Sequence, residues 1–231
     1  MHKTIGIIGG MSPESTVAYY QYITRTYTQR YGDFGYPEIL IYSVSFQPYV
    51  DWPLAGRWDL VAQGLSEAAQ KLEAMGAGCI LIATNTMHIV FDEVQASVDA
   101  PMISLLDVVG TAIQERGMTT VGLLGTEFTM EKPFYREALD RQGISILVPG
   151  AEDRRFVNAV IYDELGAGQF LDESRAGYLA VIERLADRGA EGVILGCTEI
   201  PLLVSETDAS LPLFDTTSIH AEAALRFAVE G

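Results

Sequence analysis

The sequence predicts an α/β protein of two similar halves, each a parallel sheet flanked by helices. Two observations carry the prediction. Apolar runs of strand length alternate with longer helical patterns along the chain, the signature of βαβ units. Two stretches also occur twice. TIGIIGG (Thr4–Gly10) resembles TVGLLGT (Thr120–Thr126), and MGAGCILIATNT (Met75–Thr86) aligns without a gap with RGAEGVILGCTE (Arg188–Glu199). Positions 4 and 84 lie 80 residues apart, and positions 120 and 197 lie 77 apart. Each half thus opens on one strand and, a similar distance later, ends another at Thr84 or Cys197.

In chain order, a strand near 3–9 stops at the Gly9-Gly10 pair. Ser12 suits an N-cap and Pro13 a first helical position, so a helix is expected over 13–31. Strands follow near 37–45, 78–83 and 101–103, with helices near 57–75, 87–97 and 105–116. The second half repeats the alternation. Its strands fall near 119–125, 144–148, 191–196 and 211–214, and its helices near 131–142, 152–166, 171–188 and 216–229. The expected first domain is 1–103 plus 209–231, with the strand at 211–214 and the last helix returning to it; the second is 104–208.

Bulk properties narrow the functional classes. The 231 residues are 48% hydrophobic and 20% charged, enough for sizeable cores, and no apolar run approaches the roughly 20 residues of a membrane span. The N-terminus enters a strand pattern at once, without a signal-peptide layout, and the two cysteines do not suggest a disulfide framework; a cytoplasmic protein is expected. A net charge of −16 argues against nucleic acid and anionic membranes as partners. His2, His88 and His220 do not pair with cysteine at metal spacing, so no metal site is expected. Of three lysines only Lys132 is an arguable Schiff-base candidate, and there is no GxSxG elbow.

Parallel sheets bind ligands beyond the carboxyl ends of their strands, which makes four strand-end loops candidates. GGMSPEST (Gly9–Thr16) offers the N–H groups of a helix start, suited to an anion, or is an ordinary strand-to-helix turn. TNTMH (Thr84–His88) supplies an amide at Asn85 and a hydroxyl at Thr86, suited to holding a carboxylate, while His88 reads better as a satisfied helical histidine than as a base. GTEFTM (Gly125–Met130) offers Thr126 and Thr129 for anion contact or for plain capping. CTEIP begins with Cys197, at the polar strand end that matches Thr84; a helix start there is expected to lower the thiol pKa from about 8.5 toward neutral. Cys79, mid-strand, reads as a core residue. Asp215 or Thr216 suits the cap of the last helix, within which His220 reaches a site or serves the core.

GGMSPEST, NTMH, LLGTxFTM, GCTEI and FDTTSIH, in this order and with this spacing, resemble the cofactor-independent aspartate/glutamate racemases of the aspartate/glutamate/hydantoin racemase superfamily. The resemblance covers essentially the whole chain. It implies two pseudo-symmetric α/β domains with the active site in the cleft between them, a homodimer, and an amino-acid substrate handled without pyridoxal phosphate. Family members use two cysteines, one after each paired strand. Here the second is Cys197 and the first position is Thr84, which is most like the Thr/Cys broad-specificity racemases described as acting from L to D.

The resemblance explains the duplicated strand end, because racemisation needs an acid/base group on each face of a planar carbanion. One group takes the α-proton and the other delivers a proton opposite. Thr84 is a poor resting base, but its hydroxyl can donate to a strongly basic carbanion. Hydrogen bonds to the α-carboxylate from Asn85, Thr86, Thr126 and Thr198 would acidify the α-proton, with Met11, Ser12 and Glu199 lining the same pocket. Some members place a lysine near Ala167–Gly168 for a side-chain carboxylate; GAGQF has none, and Gln47 and Arg57 are the remaining candidates, so a range beyond aspartate and glutamate stays open. The competing readings are another carbanion enzyme of the superfamily, a decarboxylase or cis-trans isomerase, and a non-catalytic ligand-binding homologue.

Overall fold

The computed structural model describes residues 2–231, which divide into two compact units, 2–105 with 217–231 and 106–216. The first unit begins with β1 (Ile5–Gly9), α1 (Pro13–Tyr31), β2 (Ile39–Ser43), α2 (Phe46–Leu54) and α3 (Trp58–Ala74). It continues with β3 (Cys79–Ile82), a 3-10 turn at Thr86–Val90 and α4 (Phe91–Gln95). The second contains α5 (Leu105–Glu115), β4 (Thr120–Gly125), α6 (Glu127–Glu131), α7 (Pro133–Asp140), β5 (Ser145–Leu147) and α8 (Ala151–Asp163). After these come α9 (Asp172–Asp187), β6 (Gly192–Gly196), α10 (Ile200–Leu203) and β7 (Leu213–Asp215), before α11 (Thr216–Glu230) closes the first unit.

Both sheets are parallel and share one plan. The first runs β2-β1-β3, with a single parallel bridge from Ile80 to Met102 beyond β3; the second runs β5-β4-β6-β7. The strand expected at 101–103 is thus one bridge, standing where the second unit has β7. The strand expected at 211–214 pairs with β6, Val193 opposite Leu213, so it belongs to the second unit and not the first. The chain returns to the first unit at Thr217 and not at 209, because those backbone hydrogen bonds hold β7.

Central strands of parallel sheets are covered on both faces, which is why β1, β3, β4 and β6 read as near-continuous apolar runs. In the first unit Ile5, Ile7, Cys79 and Leu81 pack with Tyr19, Ile23 and Tyr27 of α1 and Ala221, Ala224 and Leu225 of α11. Ile8, Ile80 and Ile82 face the opposite way, into Val61, Leu65 and Leu72 of α3. In the second unit Leu124, Val193 and Leu195 pack against Val157 and Ile161 of α8 and Tyr178, Ile182 and Leu185 of α9. Each fully buried aliphatic side chain contributes about 1.5–3 kcal/mol. This two-sided burial fixes both strand order and register, and so fixes where each strand ends.

Candidate functional site

Thr84 and Cys197 occupy equivalent places in the two sheets, each following the strand paired with the one that opens its half. Around Thr84 the backbone is pinned from several directions. The Thr84 N–H donates to the Ile82 carbonyl (2.8 Å), and the Ala83 carbonyl accepts from the Ser15 hydroxyl (3.1 Å). His88 holds the Thr84 carbonyl itself. His88 Nε2 accepts from the Leu105 N–H (3.1 Å), which leaves its proton on Nδ1, and that N–H donates to Thr84 (2.9 Å). Burial drives the His88 pKa down to about 4, so it is a neutral, single-tautomer clamp. Beside it His220 donates from Nε2 to the Ile103 carbonyl (2.7 Å) and accepts from the Tyr19 hydroxyl (2.8 Å); burial first, then His88, lowers its pKa to about 3. Neither imidazole is a base near neutral pH, and His220 serves the interior.

The other first-unit candidates separate. Asn85 is buried and Thr86, half-buried, opens the 3-10 turn. Ser12 caps α1, its hydroxyl accepting from the Ser15 N–H (3.4 Å), and its carbonyl accepts from the hydroxyls of Ser15 and Thr16 (2.9 and 3.1 Å). The Gly10 N–H is likewise used, donating to Thr16 (2.8 Å), so those two N–H groups of the loop are turned inward and not offered to an anion. Gly10 has φ +91, and a Cβ there would sit 2.4 Å from the Val44 carbonyl oxygen, so a side chain is excluded twice over. Met11 is buried in the core cluster that includes Ile8, Tyr49 and Met87.

In the second unit β4 and β6 pair with Gly125 opposite Gly196, which sets Thr126 and Cys197 as the next residues on neighbouring strands. A Cβ at Gly196 would stand 2.9 Å from the Leu124 carbonyl oxygen, so glycine permits that close approach. Thr126 caps α6, its hydroxyl accepting from the Thr129 N–H (3.3 Å) and hydrogen-bonded to the Thr129 hydroxyl (3.1 Å). Cys197 is half-buried, and its thiol donates to Glu199 Oε2 (2.9 Å), which also accepts from the Thr198 hydroxyl (2.8 Å).

That contact overturns the expected thiol acidity. Burial first, then the Glu199 carboxylate, holds the Cys197 pKa well above the usual thiol range. The helix that follows, α10, has four residues and does not offset them. Cys197 at rest is a thiol, with a carboxylate in place to accept its proton. Cys79 fits its core reading, pushed up to about 12 by burial. Lys132 lies between α6 and α7 on a cavity of about 150 Å³ lined also by Arg136, Tyr135 and Ile146; Cys197 and Glu199 are not among its walls.

Sequence reasoning missed two residues of α8. Asn158 Oδ1 accepts from the Glu127 N–H (2.8 Å). One helical turn on, the exposed Tyr162 has its hydroxyl pKa raised by partial burial first, then by Cys197, Glu127 and Glu199. The 158/162 spacing was visible, but nothing local ties α8 to a strand end thirty residues earlier. Among the described residues, no group of three or more His, Cys, Asp or Glu side chains could hold a metal ion, and no helix is long and apolar enough to cross a membrane.

Two parallel sheets of one plan with matched strand ends, one followed by a hydroxyl and the other by a thiol against a carboxylate, set the class as a duplicated α/β protein. The Asp/Glu/hydantoin racemase family model matches residues 8–224, and the chain belongs to that family of isomerases. It is 25% identical over 222 residues to the broad specificity amino-acid racemase RacX of Bacillus subtilis, covering 95% of each chain. A crystal structure from Yersinia pestis, provisionally assigned as an Asp/Glu racemase, superposes with TM-score 0.93 at 43% identity over 98% of this chain and 99% of the other. An aspartate racemase homologue from Pyrococcus horikoshii OT3 gives 0.86 at 38% identity over 99% of both chains.

Proposed function

We propose that the protein is a cofactor-independent amino-acid racemase, in which Cys197 and Thr84 transfer protons on opposite faces of the α-carbon. The observation that supports it best is the Cys197–Glu199 contact, a thiol with its own proton acceptor at a strand end equivalent to that of Thr84. Glu199 takes the thiol proton, and the thiolate so formed takes the α-proton of the L-substrate and becomes a thiol again. The planar carbanion, far more basic than an alkoxide, takes the Thr84 hydroxyl proton on its other face. Solvent then returns the Glu199 proton to Thr84, which resets both groups. The pinned backbone around Thr84 costs nothing to organise at the moment of transfer. Aspartate and glutamate are the starting candidates, as in the family name. We place the enzyme in the cytoplasm, acting as a homodimer.

Free enantiomers have equal energy, so kcat/KM must match for L- and D-substrate, and the Thr/Cys pair makes proton exchange lopsided, not inversion one-way. The test is proton NMR in D₂O with chiral chromatography. The expected outcome is α-proton exchange of L-substrate faster than inversion, abolished by Cys197→Ser in a folded protein. Full activity in that variant would remove Cys197 from the mechanism; faster exchange of D-substrate would reverse its face.

A further inference from the structure

We propose that the second unit carries a binding site, separate from Cys197, for a small organic anion whose apolar body is no larger than an aromatic ring. The site is the cavity between the β4–β5 side of the sheet and the corner where α6 meets α7. Its volume is about 150 Å³, the size of a cavity that takes benzene. Leu123, Met130, Tyr135 and Ile146 give it a buried apolar wall, and Lys132 and Arg136 line it from exposed positions. Cys197 and Glu199 do not line it, so the proposal stands apart from the racemase reading.

The two cations have no counter-charge of their own. Arg116, Arg154, Arg175 and Arg184 of this unit each pair with a carboxylate. The side chains of Lys132 and Arg136 have no hydrogen-bond or ion-pair partner among the described residues; Arg141 is alike in this but is not on the cavity wall. The remaining charge on the wall, Glu131, is taken up by Arg154 (2.9 Å). Glu127, Glu137 and Asp140, the other acidic residues of α6 and α7, do not line the cavity. Lys132 and Arg136 stand four residues apart at the start of α7, so like charges repel across one helical turn, at the end of a helix that disfavours cations. In a chain of net charge −16 this is a local positive site whose cost an anion removes. The apolar wall selects among anions: a carbon body displaces water from it while the anionic group meets the ammonium and guanidinium.

The experiment follows the methyl NMR signals of Leu123, Met130 and Ile146 during titration with benzoate, benzamide and inorganic phosphate. Benzoate should shift them saturably with a Kd of about 1 mM, and benzamide, the same ring without the charge, should bind about 10-fold more weakly. Added salt should weaken benzoate alone. Lys132 and Arg136 are exposed and their side chains unpartnered, so the double variant Lys132→Gln, Arg136→Gln should fold, and its affinity for benzoate should fall to that for benzamide. Benzoate should raise the Tm of the wild type more than that of the variant. Benzamide or phosphate binding as tightly as benzoate would overturn the proposal. So would benzoate shifting only signals around Cys197, or no saturable shift at tens of millimolar.

Discussion

At the residue scale the chemistry turns on which groups hold protons at rest. A thiol in a buried site beside a carboxylate stays protonated, so Cys197 needs Glu199 both as hydrogen-bond acceptor and as proton acceptor. Glu199→Gln should lower exchange of L-substrate by about 10²-fold, the scale of one general-base contribution. It should also move the thiol in the opposite sense to activity. Removing the negative charge lowers the thiol pKa, so the pH profile of Cys197 alkylation should shift to lower pH, and an unmoved profile would show that the carboxylate does not act on the sulfur. Thr84→Cys restores the family's usual pair and should preserve or raise inversion; a large loss would mean that the hydroxyl does something a thiol cannot.

At the element scale the strand ends are held by devices of different legibility. The cap of α1 was readable, because Ser12-Pro13 signals a helix start by local chemistry, and α1 spans Pro13–Tyr31 as expected. The helix α2 was missed, since Pro48 and Pro53 break the usual pattern while burial of Tyr49 and Pro53 holds the segment. The expected helix at 87–97 is a 3-10 turn followed by α4, and His88 lies within that turn. The His88–Thr84 and His220–Ile103 bonds give a pH prediction. Folded, these imidazoles stay neutral down to about 4 and about 3, whereas unfolded they take up protons below 6.5. The unfolded state then binds more protons, so this contribution to stability is lost as pH falls from about 6.5 toward 4, on the order of 3 kcal/mol for His88. The imidazole NMR signals of both should not move between pH 8 and 5; a midpoint near 6.5 would refute the clamp.

At the scale of the whole molecule, duplication gives two sheets of one plan, and a long return brings α11 home to the first unit. The first unit leaves Val17, Tyr20 and Tyr31 of α1 exposed, together with Phe34 and Tyr36 of the loop that follows and Ile41 of its outer strand β2. Apolar exposure beside an open sheet edge is a feature that soluble chains cover. The expected state is the homodimer, twice 25.2 kDa by sedimentation velocity, and Ile41→Lys should shift it toward monomer. A wild-type monomer at micromolar concentration would remove that expectation.

The sequence by itself determined the α/β class, the duplication and the strand-end residues Thr84 and Cys197, because each is written in local periodicity and in a repeat that aligns without a gap. It determined the absence of a lysine in the 165–171 segment for the same reason. Tertiary structure decided the rest. Whether Cys197 is a thiolate or a thiol depends on a carboxylate oxygen 2.9 Å away and on burial, and neither follows from the spacing of Cys197 and Glu199. The packing of Met11 in the core and which sheet takes the strand at 213–215 are contacts among segments distant in the chain. Hydrogen bonds and packing set those contacts only once the sheets have formed.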